Sequence, residues 1–249
     1  MALHPLAENF ASVADAYESG RPDYPPAVSG SIGAELGLRP GARILDLAAG
    51  TGKLTRRLIA GGFEVVAVEP QDSLRAKLAE SIGAQHVQEG IAEAIPLEDA
   101  SVQAVTVADA FHWFDHGPAM AEIARVLEPG GGLALVSMAP DWTGASWAEE
   151  VGELIGSLRP EHPHFDGPSW PEVVSAAGGW AEPWELRLTR SVPAEPDRIV
   201  DYVNSMSFIA ALPDAEREAS LERVRRMVAE GETPDKLGVQ VRLIFSQRV

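Results

Sequence analysis

Short continuous runs of apolar residues alternate with apolar positions three or four residues apart along the middle of the chain. The runs are typical of buried strands and lie at residues 43–47, 64–68, 102–108 and 133–138. Between them, apolar side chains recur at helical spacing, as at Met120, Ile123 and Leu127. Strands that alternate with helices predict parallel βαβ units and a doubly wound sheet. A ligand of such a sheet lies at the carboxyl ends of its strands.

Glycine, proline and aspartate predict where these helices begin and end. Gly61 and Gly83 stop the first two helices, because glycine readily adopts the conformation that closes a helix. Asp72 is predicted to cap the second helix, and Pro118 is predicted to start the third. The turn at residues 129–132 then leads into the fourth strand.

The pattern changes on both sides of this region. Residues 1–42 are rich in proline, alanine and polar side chains, and tryptophans lie among prolines and glycines in a predicted lid at residues 141–181. Later positions predict strands at 185–192 and 239–245, the first at an edge, and helices at 197–212 and 214–230. We therefore expect a cap segment, a ligand-binding core, and a remainder that completes the same sheet, at residues 1–42, 43–140 and 141–249, respectively.

The first predicted strand ends in a turn of small residues, Asp46-Leu47-Ala48-Ala49-Gly50-Thr51-Gly52. Glycine allows a ligand to approach the backbone, and the following helix offers free N–H groups. Glu69 ends the second strand, 19 residues after Gly50, where a carboxylate can accept both hydrogen bonds of a ribose diol. The two features together predict an adenosine-containing ligand, whereas the glycines alone would fit a simple tight turn.

A nicotinamide dinucleotide fits this turn less well. Its fingerprint needs glycine or alanine at position 55, where this chain has Thr55. The Asp46 carboxylate could orient the backbone of the turn or hold a cationic amino group through water, but it is an unhelpful neighbour for a pyrophosphate. A nicotinamide oxidoreductase is therefore disfavoured.

Charge and composition exclude further classes of protein. Lys and Arg number 20 against 37 Asp and Glu, and the resulting charge of −17 repels nucleic acid and anionic membranes. The chain has no cysteine, which excludes disulfides and thiolate metal sites. We expect no membrane span, because no apolar run of about 18 residues occurs. Residues 1–17 lack the features of a secretory signal, so a cytoplasmic protein is predicted.

Four motifs in order resemble those of class I S-adenosylmethionine-dependent methyltransferases, in the small-molecule, methyltransferase type 11-like branch. They lie at residues 43–55, 65–70, 92–97 and 124–131, and the segment from Phe10 to Pro25 is also similar to that branch. The resemblance implies a Rossmann-like, mostly parallel sheet with a helical cap and an antiparallel C-terminal strand. It implies S-adenosylmethionine as the cofactor, S-adenosylhomocysteine as its product and a small-molecule acceptor, on a monomer or homodimer.

The resemblance also implies which residues contact the cofactor. Glu69 would take the ribose hydroxyls, Pro70 would cover the adenine, and Ala92 would offer its backbone to the adenine edge. Tyr17 or Arg21 would reach the carboxylate of the amino-acid end. The full implied set is Tyr17, Arg21, Asp46, Ala48, Gly50, Gly52, Glu69, Pro70, Ala92, Asp109 and Ala110.

Three positions depart from the family pattern. Ala48 stands where a first glycine is usual, Ile91 replaces a common acidic adenine ligand, and Gln103 replaces a usual aspartate. These departures leave an alternative open, a regulatory protein that binds S-adenosylmethionine without catalysis.

The residues after the third predicted strand are candidates for the acceptor end. His112 is the candidate general base if the acceptor is a hydroxyl or amine that must lose a proton, and packing of a lid against the sheet is the alternative. The predicted pocket wall comprises Phe111, His112, Trp113 and Met206. No metal is predicted, because the histidines at 162 and 164 are flanked by prolines that suit a loop.

Overall fold

One sheet organises the computed structural model, which describes residues 4–143, 145–231 and 236–249. Its strands are β1 (Arg43–Leu47), β2 (Glu64–Val68), β3 (Val87–Gln88), β4 (Val102–Ala108), β5 (Leu127–Pro140), β6 (Trp184–Pro193) and β7 (Lys236–Gln247). The order across the sheet is β3-β2-β1-β4-β5-β7-β6. Strands β1 to β5 pair in parallel, and β7 is antiparallel to both β5 and β6. The predicted mostly parallel sheet with an antiparallel C-terminal strand is therefore confirmed.

Helices surround this sheet. They are α1 (Pro5–Glu8), α2 (Ala14–Gly20), α3 (Ala27–Glu35), α4 (Lys53–Ala60), α5 (Asp72–Ile82), α6 (His116–Val126), α7 (Ser146–Leu158), α8 (Pro163–Asp166), α9 (Trp170–Ala176), α10 (Pro196–Asn204), α11 (Ser207–Ala210) and α12 (Asp214–Glu230). Short 3-10 helices occupy Asn9–Val13, Ala84–His86 and Phe111–Trp113. Within the described ranges, no helix combines the length and apolar character needed to cross a bilayer.

Helix starts differ from prediction by one or two residues. Asp72 is the first residue of α5 rather than its cap, which is Gln71. Helix α6 begins at His116 after the cap residue Asp115, so Pro118 lies inside its first turn. Proline is tolerated there because the first N–H groups of a helix have no partner within it.

Two larger differences concern the second half of the chain. The helix predicted at 197–212 is two helices, α10 and α11, separated at Ser205 and Met206. The turn predicted at 129–132 lies within β5, where the register against β4 shifts and the extra residues bulge out of the ladder.

The two-residue strand β3 was not predicted, because so short a segment has no readable alternation.

The core consists of a hydrophobic cluster on each face of the sheet. Successive residues of β1 point to opposite faces, since Ile44 belongs to one cluster and Leu45 to the other. In β7, the side chains predicted to share one face all pack in the first cluster: Val239, Val241, Leu243 and Phe245. Burying a side chain of this size contributes about 1.5–3 kcal/mol.

The cap segment is joined to the C-terminal part of the chain through α2 and α10. A Cβ added to Gly20 would lie 2.2 Å from the backbone nitrogen of Tyr202, so the two helix backbones are in contact. A side chain at position 20 would force the helices apart. This contact brings the N-terminal residues over the carboxyl ends of the strands.

Candidate active site

A cavity of about 290 Å³ opens at the carboxyl ends of β1, β2 and β4, roofed by the N-terminal segment. Its position agrees with the ligand site expected for a doubly wound sheet. Most residues predicted to contact the cofactor line it: Tyr17, Arg21, Ala48, Gly50, Glu69, Pro70, Ala92, Asp109 and Ala110. Asp46 and Gly52 do not line it.

Glu69 is held against the glycine turn at the end of β2. Its Oε2 atom accepts a hydrogen bond from the Gly50 backbone N–H at 2.8 Å, and Oε1 accepts one from the Gln71 N–H at 2.9 Å. The residue is only 3% exposed. This burial raises the pKa of Glu69 to about 7, although the two backbone donors and the Arg75 guanidinium act in the opposite direction.

The turn after β1 adopts left-handed backbone conformations. Ala48 has a φ of 55° and so takes the conformation that a glycine would favour, and Gly50 has a φ of 59°. A Cβ added to Gly50 would meet no atom within 4 Å, so this residue leaves open space beside the cavity. At Gly52, with a φ of 87°, an added Cβ would lie 2.6 Å from Leu78 Cδ1. Gly52 therefore allows α4 and α5 to pack closely.

Asp46 lies beneath the turn, fully buried. Its carboxylate accepts hydrogen bonds from the hydroxyls of Thr55 at 2.6 Å and Thr106 at 3.0 Å. Burial raises the pKa of Asp46 to about 6. The side chain ties β1 to β4 and α4, and through that contact it fixes the position of the turn.

Charges of both signs lie at the other end of the cavity. The Arg21 guanidinium donates from Nε to Ser205 Oγ at 3.1 Å and lies 4.5 Å from the ring centroid of Tyr17. The Asp109 carboxylate accepts hydrogen bonds from the Tyr24 hydroxyl at 2.8 Å and the Met138 N–H at 3.1 Å. Both side chains line the cavity, and a cation and an anion there complement a zwitterionic amino acid.

Aromatic residues from the N-terminal segment cover the entrance. The ring centroid of Trp113 lies 5.1 Å from that of His4 and 6.1 Å from that of Phe10. Phe10 in turn contacts Tyr17 edge to face, with centroids 5.9 Å apart. Neither His4 nor Phe10 was predicted as a site residue, and the only signal was the place of Phe10 in the N-terminal segment similar to the family.

Among the four residues predicted at the acceptor end, Trp113 alone lines the cavity. Phe111 is fully buried and stacks on His116, with centroids 4.9 Å apart. Met206 packs against the first hydrophobic cluster at the start of α11. Phe111, His112 and Trp113 form a 3-10 helix, which turns each successive residue by about a third of a circle, although the ring centroids of His112 and Trp113 stay 4.5 Å apart.

His112 does not line the cavity, and its ring packs against Trp113, 4.5 Å away between centroids, and against residues of the predicted lid. Its ring centroid lies 4.7 Å from that of His164, 5.6 Å from that of His162 and 6.1 Å from that of Trp170. Burial, with the neighbouring imidazoles, lowers the pKa of His112 to about 2. The ring is therefore neutral, and its role as a base stays a prediction.

His162, in the predicted lid, caps the short helix α8. His162 Nδ1 accepts a hydrogen bond from the His164 N–H at 3.2 Å, and the His162 N–H donates to Asp166 at 2.8 Å. Across the residues that the structure describes, no group of three or more His, Cys, Asp or Glu side chains is arranged to hold a metal.

The three departures from the family pattern leave the cavity intact. Gln103 Oε1 accepts a hydrogen bond from the Arg43 N–H at 2.6 Å, and its amide contacts Glu128. Gln103 therefore stabilises the ends of the strands that lie away from the cavity. Ile91 lines the cavity as an apolar residue, and Ala48 has the left-handed conformation described above.

Comparison with known proteins now decides the family. An uncharacterized methyltransferase of Mycobacterium tuberculosis is 41% identical over 230 residues, which are 90% of this chain and 87% of the relative. The chain belongs to the methyltransferase family. The profile of a methyltransferase domain matches residues 45–135, and a methyltransferase-like protein of Schizosaccharomyces pombe is 36% identical to this methyltransferase over 90% of the chain and 88% of its own length.

Solved structures agree with this assignment. A protein of Anaeromyxobacter dehalogenans, assigned as a type II methyltransferase, superposes with a TM-score of 0.63 at 25% identity, over 92% of this chain and 97% of its own. A protein of Anabaena variabilis, assigned as a methyltransferase from an antibiotic biosynthesis pathway, has a TM-score of 0.63 at 19% identity over 92% and 98%, which supports the fold alone. The predicted class I fold is confirmed. Use of S-adenosylmethionine is the general property of this methyltransferase fold.

Proposed function

We propose that this methyltransferase transfers the methyl group of S-adenosylmethionine to a small-molecule acceptor, at oxygen, sulfur or nitrogen. The observation that carries the proposal is the Glu69 carboxylate. It lines the cavity beside Gly50, and each of its oxygens is fixed by a backbone N–H. A carboxylate held in this way can accept hydrogen bonds from both hydroxyls of a ribose.

The rest of the lining fits the other parts of the cofactor. Pro70 and Ala92 would border the adenine on one side of Glu69. On the other side, the Arg21 guanidinium would bind the carboxylate and Asp109 would face the ammonium group. When bound, S-adenosylmethionine supplies an electrophilic methyl group on a sulfonium. The chain binds and orients the reactants and excludes water, and alignment alone contributes about 7 kcal/mol or more.

Three observations support a small acceptor. The cavity has a volume of about 290 Å³ and an aromatic entrance that includes Phe10 and Trp113. The charge of −17 makes nucleic acid an unfavourable partner. A relative from Thermus thermophilus, 40% identical over 61% of this chain and 80% of its own length, is named demethylmenaquinone methyltransferase, so its named acceptor is a quinone and neither a nucleic acid nor a protein. The cytoplasmic location and the monomeric or homodimeric state stay predictions.

Calorimetric titration with S-adenosylhomocysteine tests the cofactor site. We expect Glu69→Ala to weaken binding by about 100-fold, because two hydrogen bonds to a charged group are lost. Glu64→Ala is the matched control, since Glu64 is exposed at the opposite end of the same strand. Equal affinity of the Glu69→Ala variant and the unaltered protein would refute the site assignment.

Transfer itself is tested with methyl-labelled S-adenosylmethionine and a library of small acceptors. We expect label in a low-molecular-weight product, and much less of it with the Glu69→Ala variant at the same cofactor concentration. Label recovered only in protein or nucleic acid would contradict the proposed acceptor class.

A further inference from the structure

Helix α10 reaches the amino-acid end of the cavity from the C-terminal part of the chain. The chain has three tyrosines, and all of them lie around the Arg21 guanidinium and the Asp109 carboxylate. Tyr202 lies in α10, and Ser205 caps the C-terminal end of that helix. Neither was predicted as a site residue.

We propose that Ser205 and Tyr202 are positioning residues, which hold the Arg21 guanidinium in the orientation that binds the carboxylate of the cofactor. The inference rests on the proposed function, because it takes that carboxylate as the ligand of Arg21. It adds two residues on which cofactor affinity depends, and Ser205 lies 184 positions from Arg21 in sequence.

The hydrogen bonds of Ser205 fix both its own side chain and that of Arg21. Ser205 is fully buried, and its hydroxyl donates to the Tyr202 carbonyl oxygen at 2.6 Å. With its proton used in this way, Oγ accepts from Arg21 Nε at 3.1 Å, and the Ser205 carbonyl accepts from Nη2 at 3.5 Å. In the described part of the chain, Nη1 of Arg21 makes no hydrogen bond, so this group is left for a ligand.

Two aromatic rings hold the same guanidinium through cation–π contacts. Its Cζ lies 4.5 Å from the ring centroid of Tyr17 and 5.6 Å from that of Tyr202. Burial raises the pKa of each phenol to about 12, so both rings are neutral. Among the described residues, the side-chain hydrogen bonds of Arg21 go to Ser205 and none to a carboxylate. A cation held by neutral groups keeps its charge available for an anionic ligand.

The backbone contact at Gly20 sets the distance between these partners. Because a Cβ at position 20 would lie 2.2 Å from the Tyr202 nitrogen, α2 and α10 meet without intervening side chains. Arg21 directly follows α2, and Ser205 directly follows α10. The guanidinium is thus oriented before a ligand arrives, which reduces the ordering cost of binding.

Two ligands separate positioning of Arg21 from general support of the fold. S-adenosylhomocysteine carries the amino-acid part, whereas 5′-methylthioadenosine shares the adenosine part and lacks the carboxylate. We expect Ser205→Ala to weaken the binding of S-adenosylhomocysteine by about tenfold in calorimetry, and to change the affinity for 5′-methylthioadenosine by less than about twofold. Ser246→Ala is the matched control, a buried serine that donates to the Ala181 carbonyl, and it should change neither affinity.

The ring of Tyr202 gives a second, independent measurement. We expect Tyr202→Leu to weaken S-adenosylhomocysteine by about threefold to fivefold, and Tyr202→Phe to restore the affinity, because phenylalanine keeps the aromatic face. If Ser205→Ala does not fold, this pair of variants carries the test. Equal loss of both ligands in Ser205→Ala or Tyr202→Leu, or no loss of either, would overturn the inference.

A double-mutant cycle with Arg21→Met completes the test. If Ser205 acts through Arg21, then Ser205→Ala should have no further effect on S-adenosylhomocysteine in the Arg21→Met background. If Arg21→Met weakens the binding of S-adenosylhomocysteine while Ser205→Ala does not, the positioning role is wrong and the proposed function stands. Should Arg21→Met itself have no effect, the carboxylate assignment of the proposed function fails and the inference fails with it.

Discussion

At the scale of single residues, the Glu69 carboxyl links ribose binding to proton binding. Burial raises its pKa to about 7, so the protonated and ionised forms exchange within an accessible pH range. Only the ionised form offers both oxygens as acceptors to a diol. Lowering the pH from 8 to 6 should therefore weaken binding by about fivefold to tenfold. The suitable ligand is 5′-methylthioadenosine, which has no amino-acid groups that titrate.

Calorimetry at pH 6, 7 and 8 measures this effect. Glu69→Gln is the control, because an amide has no charge to lose and should bind more weakly but equally at each pH. A pH-independent affinity of the unaltered protein would show that Glu69 does not titrate in this range.

His112 is the residue for which sequence position and structural position differ most. It follows β4 at the mouth of the site, yet its ring packs against His164 and Trp170. We expect His112→Ala to reduce turnover less than tenfold and to lower the free energy of unfolding by about 1–3 kcal/mol. His112→Phe should preserve both, since it keeps an aromatic ring. A loss of about 100-fold in turnover for both variants, with stability unchanged, would instead establish a base.

At the scale of elements, the two glycines of the turn after β1 have different roles: Gly52 allows close packing, and Gly50 leaves space for a ligand. Gly52 has a φ of 87° and no room for a Cβ beside Leu78, so we expect Gly52→Ala to cost about 2–4 kcal/mol of stability. Gly50→Ala should cost only about 1–2 kcal/mol, for its left-handed backbone. It should also weaken S-adenosylhomocysteine by about tenfold, because a ligand approaches the backbone there.

Thermal melts and calorimetry on the two variants check this contrast. Gly30→Ala in α3 is a control with open space around the new Cβ, and it should stabilise the protein by about 0.5–1 kcal/mol. The assignment of distinct roles is wrong if the alanine variants of Gly50 and Gly52 lose the same stability and the same affinity.

Three strands near the middle of the sheet could be predicted to the residue. The bounds of β1, β2 and β4 match their apolar runs, because central parallel strands contact core on each side. The break between α10 and α11 could not be predicted, since neither glycine nor proline marks it. Ser205 stops α10 while bonding to Arg21, a contact that only the folded chain creates.

The same limit applies to the site. Glu69 and the glycine turn could be placed at the carboxyl ends of the strands from the predicted βαβ units alone. Sequence position does not separate Trp113, which lines the cavity, from its ring neighbour His112, which does not, because the 3-10 helix that carries them has no sequence period of its own. The contribution of α10 depends on packing between distant segments.

At the scale of the whole molecule, charge sets the response to salt. The excess of acidic over basic residues, 37 against 20, makes the folded chain repel itself. Raising NaCl from 50 to 300 mM should screen this repulsion and raise the melting temperature by about 2–4 °C, equivalent to about 1 kcal/mol. KCl should act equally, because screening depends on ionic strength. A lower melting temperature in salt would mean that ion pairs such as Arg56 with Glu18 outweigh the net repulsion.

The place of β7 between β5 and β6 governs how the protein is made. Residues 236–247 supply the strand that joins β6 to the rest of the sheet. On the ribosome, β6 emerges before β7, its partner among the described strands, and must wait until β7 is translated. A chain stalled before that point exposes both strand edges to other nascent chains.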